Sequence, residues 1–166
     1  MYGFVNVDIR EDIEPDVVDD AFALTKFKNN SVDLIYICHT LEHASREEAE
    51  KALKRYHEVL KPGGTLRISV PDMEAVCEHY VYHRDLRWLK TFFHGGQTHE
   101  WDYHRAGWDY NTMSEDLLDV GFVHVRQWDW RDTEHKYVDD YSQAYCPHMD
   151  KINGRLMSLN VEADKE

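Results

Sequence analysis

Polar residues stand at the ends of several short apolar runs. Asp8 follows Val5 and Val7, Asp20 follows Val17-Val18, His39 follows Leu34–Cys38, and Asp72 follows Leu66, Ile68 and Val70. In open α/β sheets a ligand sits outside the carboxyl ends of the strands, so acids and an imidazole at successive strand ends are what a polar-ligand crevice needs. A second group is aromatic. Residues 86–111 contain three Trp, His94, His99 and His104, and the pair Gly95-Gly96. Trp101 and Tyr103 offer flat walls, and Gln97, Asp102 and His104 offer orienting polar atoms. The same residues would also serve as a small satellite core. His99, Asp102 and His104 are types that a divalent cation accepts, but their spacing matches no metal motif, and no metal is expected. Cys38, Cys77 and Cys146 form no C-x-x-C pair, and nothing marks Cys38, at the end of a buried strand, as an activated nucleophile.

The elements that must position these residues are legible from periodicity. Phe4–Ile9 reads as a strand, Val17-Val18 as a very short one, and Val32–Cys38 as a buried strand. Ser45 and Glu48 have capping-box spacing ahead of Ala49, Ala52, Leu53, Tyr56, Val59 and Leu60 at helical period. Lys61-Pro62-Gly63-Gly64 ends that helix, and Thr65–Val70 alternates as a strand. Asp72 caps a helix bearing Met73, Val76, Cys77 and Tyr80. The stretch 86–111 lacks clean periodicity and reads as an ordered, irregular insertion. Thr112 and Glu115 predict a second capping box before a short helix that ends at Gly121. Phe122–Trp128 is expected to be a strand, 129–156 a loop-like aromatic stretch and Met157–Ala163 a half-buried last strand, with Trp128 and Trp130 packing and the two last strands pairing antiparallel at one edge. The expected fold class is α/β, a Rossmann-like three-layer sandwich with a mostly parallel sheet and an antiparallel edge.

Two stretches carry a family resemblance. Leu34-Ile35-Tyr36-Ile37-Cys38-His39-Thr40-Leu41-Glu42-His43, followed after a helix by Val59-Leu60-Lys61-Pro62-Gly63-Gly64, resembles the class I S-adenosylmethionine-dependent methyltransferases of the type 11-like group. Asp8 and Asp19-Asp20-Ala21 match in order and spacing. The resemblance implies S-adenosylmethionine as cofactor, with Asp8 accepting from the ribose hydroxyls, Asp20 and Ala21 at the adenine, and His39 near the amino-acid part. It implies methyl transfer to a small polar or glycan-like acceptor on the side of Gln97, Trp101 and Asp102. His43 is the expected general base for a hydroxyl acceptor, because imidazole titrates near neutrality. His104 is the second catalytic candidate, while Leu41 and Glu42 shape the turn. The family's first strand and Gly-rich turn have no counterpart here, since only Met1 and Tyr2 precede Gly3 and no G-x-G occurs. The domain therefore reads as N-terminally truncated. A relative that cannot hold the cofactor unaided, acting as a binding or structural module, is the alternative. Phe4–Ile9 and Leu34–Cys38 are expected to close the resulting gap by pairing directly, or by swapping a strand in a homodimer.

Length and charge bound the rest. The 166 residues suit a single domain, 1–166, with 86–111 as its insertion. A net charge of −13 repels phosphate backbones and anionic lipid, so neither nucleic acid nor membrane is an expected partner. The longest apolar run, Leu34–Cys38, is too short to span a bilayer, and the start has no secretory-signal pattern. An odd number of cysteines without close pairs suits reduced thiols and a cytoplasmic location.

Overall fold

The computed structural model describes residues 3–166. Its first strands are short: β1 is Val7–Asp8 and β2 is Val17–Val18. β3, Val32–Cys38, leaves a turn at Asn30, which adopts the left-handed region that Asn tolerates. α1, Arg46–Val59, starts with the expected reciprocal cap: the Glu48 amide donates to Ser45 Oγ and the Ser45 amide to Glu48 Oε2. It buries Ala49, Ala52, Leu53, Tyr56 and Val59. β4, Leu60–Pro71, begins earlier than the expected Thr65, because Val32 already pairs with Leu60. α2, Met73–His83, is capped by Asp72, which accepts from the amides of Glu74 and Ala75. α3, Lys90–His94, is the one helix inside the insertion. α4, Tyr110–Val120, starts at Asp109 and not at the expected Thr112. Asp109 Oδ1 accepts the Thr112 amide at 2.8 Å, and Thr112 Oγ1 accepts the Asp109 amide at 3.2 Å. Thr112 is thus the third helical residue of a box whose cap is an acid. β5 is Val123–Gln127, β6 is Tyr145–Cys146, β7 is Arg155–Leu156 and β8 is Ser158–Asp164.

The main sheet has the order β3-β4-β8-β5. β3 and β4 are parallel, while β8 is antiparallel to both β4 and β5. The two last strands thus pair antiparallel at one edge, as expected, with β5 outermost and β8 inside it. One face carries Ile35, Ile37, Leu66, Ile68, Leu159 and Val161, all in a core shared with α1 and α4. The other face carries Tyr36, Arg67 and Glu162 beneath the irregular segment 128–143. There Tyr36 Oη donates to Asp140, Arg67 stacks over Trp128, and the Trp128 indole donates to the Ile68 carbonyl. Both faces of β8 are covered, so the expectation of a half-buried strand fails. Ser158 and Asn160 are buried, and Asn160 Nδ2 donates to the Ser142 carbonyl at 2.9 Å. The polar positions face a second layer and not solvent.

β1 pairs in parallel with β2 alone, in a sheet of their own. The expected direct pairing of Phe4–Ile9 with Leu34–Cys38 does not form; both segments line a cavity of about 1110 Å³. Contacts on the far side of β1 hold it away. The Val17 amide donates to the Asn6 carbonyl and the Asp19 amide to the Asp8 carbonyl. The following segment is clamped to α1 by Arg55, whose guanidinium donates to the carbonyls of Ala23, Leu24 and Phe27. Val5 and Ile9 are exposed, so water reaches the backbone on this side, and closure has less to gain than a sealed gap would give. Among the described residues, no helix is long and apolar enough to cross a membrane.

Candidate functional site

The site is built where β3 ends. Past Cys38 the chain turns sharply at His39, a non-glycine residue held at φ 46°, and enters a single 3-10 turn, Leu41–His43. Strained backbone of this kind collects at functional sites. The turn drives Glu42 inward until its side chain is 1% exposed. The Glu42 carbonyl accepts the amides of Arg105 at 2.8 Å and Ala106 at 3.2 Å, which locks the aromatic segment to the turn. His104 is thereby set beside His43, with ring centroids 4.9 Å apart. His43 Nδ1 lies 3.2 Å from the Tyr103 carbonyl and His104 Nδ1 lies 2.8 Å from the Phe92 carbonyl. A carbonyl only accepts, so each Nδ1 carries the hydrogen and each Nε2 keeps a lone pair. Burial holds the His104 pKa below the ordinary imidazole value, against the opposing pull of the Phe92 carbonyl and Glu42. His39 Nε2 is 3.1 Å from Ser158 Oγ, and its Nδ1 is 3.2 Å from Glu42 Oε1.

The large cavity gathers most of the residues singled out from sequence. Asp8, Asp20, Ala21, His39 and His43 all line it, as do the exposed Trp101 and Tyr103. Asp8 Oδ1 accepts the Arg10 amide at 2.8 Å, and Asp20 Oδ1 accepts the Phe22 amide at 2.8 Å. Each carboxylate thus shapes a local turn with one oxygen. Gln97 and Asp102 lie away from this cavity. Asp102 accepts from the Thr98 hydroxyl at 2.7 Å and from the amides of Thr98 and Gly96, which hold its carboxyl at about 2. Gln97 sits at φ 56° and donates from Nε2 to the His94 carbonyl. Both residues shape the 95–102 turn. His104 opens instead on a second cavity of about 750 Å³ between α1 and α4, beside Leu53, Trp108 and Asp116. His99, Asp102 and His104 do not converge. Sequence reasoning gave Glu42 only a turn-shaping part, yet among the described residues both of its carboxylate oxygens are buried without a hydrogen bond. The readable signal was an acid between Leu and His immediately after a buried strand.

Comparisons with known proteins agree with this frame. Residues 5–68 match the family model described as "Methyltransferase domain". No curated protein matches the chain. The fold is similar to a SAM-dependent methyltransferase from Archaeoglobus fulgidus, with a TM-score of 0.58 at 17% identity, covering 96% of this chain and 74% of that one. It is also similar to a SAM-dependent methyltransferase, possible histamine N-methyltransferase, from Thermotoga maritima, with a TM-score of 0.53 at 14% identity, covering 89% and 62%. An O-methyltransferase family protein from Burkholderia thailandensis gives a TM-score of 0.51 at 13% identity, covering 89% of this chain and 34% of that one. The chain thus spans less than two thirds of the length of several solved structures it resembles. Residues 5–68 carry the methyltransferase-domain pattern, and the chain as a whole has a fold similar to that of these methyltransferases.

Proposed function

We propose that the chain serves methyl transfer from S-adenosylmethionine to a small polar or glycan-like acceptor. One observation carries this reading: the strand-end acids Asp8 and Asp20 line one cavity together with His39 and His43, at or above the ~300–1,000 Å³ usual for ligand sites. Asp8 and Asp20 each have a carboxylate oxygen to offer a ribose or an adenine amino group, and the Ala21 amide lies beside them. These residues fit the nucleoside half of the cofactor. Among the described residues, no Gly-x-Gly turn lines the cavity to cradle its amino-acid half. When bound, the cofactor supplies a methyl group on a sulfonium, and the chain's contribution is alignment and desolvation. Trp101 and Tyr103 provide an aromatic wall beside His43, whose Nε2 lone pair can take a proton from a hydroxyl acceptor.

Titration calorimetry tests the reading. The chain alone should bind S-adenosylmethionine weakly, because losing two or three amide hydrogen bonds costs about 3–4 kcal/mol, a hundredfold or more. A version carrying an added strand and Gly-x-Gly turn ahead of Gly3 should bind it well. In that background Asp8→Ala should lose about tenfold or more in affinity. Trp101→Ala should lose turnover while cofactor affinity stays within about threefold. Unchanged affinity in Asp8→Ala removes Asp8 from the site. The separation of β1 and β3 favours a second reading, a binding module without turnover. That module is one that cannot hold the cofactor unaided, and S-adenosylmethionine binding that stays undetectable even with the added segment would support it.

A further inference from the structure

We propose that Glu42, His43 and His104 form a binding site for a divalent transition metal of the zinc class. One ligand atom from each lies within 4.8 Å of the others, which is the span of a single coordination sphere before it contracts on an ion. Two features separate this group from an ordinary polar cluster. The first is the Glu42 carboxylate. It is 1% exposed, and neither oxygen has a hydrogen bond among the described residues. His39 Nδ1 stands 3.2 Å from Oε1 without the alignment of a hydrogen bond, and His104 Nε2 stands 3.9 Å from the same oxygen. A buried carboxylate without partners is costly, and the cost disappears when a cation sits against it.

The second is the state of the imidazoles. The Tyr103 and Phe92 carbonyls take the Nδ1 hydrogens of His43 and His104, so the nitrogens left over are lone-pair donors. Metal-ligating histidines are usually oriented in this way, with the other ring nitrogen donating to a backbone carbonyl. Without a cation, His104 Nε2 stands 3.9 Å from a buried Glu42 oxygen that has no hydrogen bond among the described residues. The backbone enforces the arrangement, since the Arg105 and Ala106 amides tie the segment bearing His104 to the turn bearing Glu42. Two imidazoles and one carboxylate are the donor set of zinc, cobalt or nickel sites, and three protein ligands leave a further position for water or a ligand oxygen. His43 borders the large cavity and His104 the smaller one, so the group stands between the two spaces. Metal on Nε2 would relieve His43 of proton acceptance and acidify a bound oxygen acceptor directly. The site itself does not rest on the methyl-transfer reading.

The test uses the untagged 166-residue chain and the metal alone. Zinc is titrated calorimetrically in excess magnesium, which occupies surface carboxylates, and cobalt(II) is followed by its visible d–d absorption. The expected result is one equivalent bound, with a tetrahedral-type cobalt spectrum displaced by zinc. His43→Ala, His104→Ala and the isosteric Glu42→Gln should each weaken zinc binding by about tenfold or more, and far-UV dichroism reports whether each is folded. His43→Gln, at a partly exposed position, serves where a buried substitution unfolds the chain. His79→Ala is the control, because His79 and His83 stack at 4.2 Å with Cys146 Sγ 3.6 Å from His79 Nε2. Binding lost in His79→Ala and kept in the other variants would move the metal elsewhere and overturn the proposal. Failure to bind zinc or cobalt stoichiometrically would also overturn it, whatever the outcome with S-adenosylmethionine.

Discussion

His135 shows how much a single imidazole can set at this molecule's surface layer. It is 2% exposed, packed against Tyr36 at 4.4 Å with Phe4 and Trp128 around it, and neither ring nitrogen has a hydrogen bond among the described residues. Burial, and then the Arg67 charge, push its pKa below the ordinary 6.5, with Glu134 and Asp140 pulling the other way. The unfolded chain protonates this residue at about 6.5, and the folded chain does so only at lower pH. Its contribution to stability is therefore intact above that value, declines as pH falls through it, and levels off at the lowered folded value. His135→Phe keeps the ring and removes two unsatisfied nitrogens. It should raise the urea midpoint, with a larger gain at pH 5 than at pH 8; an equal gain at both would show that protonation plays no part. The thiols give a second residue-scale expectation. Burial, then the Asp140 charge, push the Cys38 thiol up to about 12, and burial raises Cys146, while Cys77 is exposed. A disulfide reagent at neutral pH should modify Cys77 rapidly and the other two only in denaturant. Asp8 and His39 were legible as site residues because strand ends announce themselves in apolar runs. Glu42 was not, because nothing in a local pattern says that an acid will be sealed by a segment sixty residues away.

At the scale of elements, capping distinguishes two readings of α4. Sequence spacing favours Thr112 with Glu115, yet Asp109 with Thr112 forms the box. Asp109→Ala should cost about 1 kcal/mol of stability, within the ~0.5–2 usual for a cap, while Glu115→Ala should stay within ~0.5. Chemical denaturation of both variants measures the difference, and the reverse order would place the helix start at Thr112. The error came from reading a pair of side chains without the helix face behind them. Tyr110 donates to the Val125 carbonyl, so the first turn is already needed to dock α4 on β5. α1 and α2 were legible because cap and apolar period agreed, and β3 and most of β4 because their apolar pattern is that of a strand. β8 was misread because its buried Ser158 and Asn160 look like a solvated face until the layer above them is known.

For the whole molecule, the division between the β1–β2 pair and the main sheet predicts uneven stability. The first pair is two residues long with exposed Val5, Ile9 and Ile13 nearby, whereas β4 and β8 stay in register from Thr65 to Pro71. Hydrogen exchange should therefore release residues 3–18 well before β4 and β8. Protection of 3–18 equal to that of β4 would mean that the first pair is tied to the main sheet. The antiparallel pairing of the two last strands at one edge was foreseeable, but the place of β8 between β4 and β5 was not, because it reverses chain order. The open trench was not, because an argument from unpaired backbone groups assumes that water is kept out.

The last strand in the chain occupies an interior place in the sheet, and this bears on how the protein is made. β4 and β5 leave the ribosome before β8 and cannot pair with each other in the finished arrangement, since β8 lies between them. Until Ser158–Asp164 arrives, each presents a bare edge, and Leu66 and Ile68 lack Ala163 and Val161 as neighbours. Sheet closure is thus a late event joining segments about ninety residues apart, the kind of long-range pairing that folds slowly. A nascent chain stalled short of Ser158 is a species with two sticky edges, the form that chaperones must shield and that aggregates when they do not.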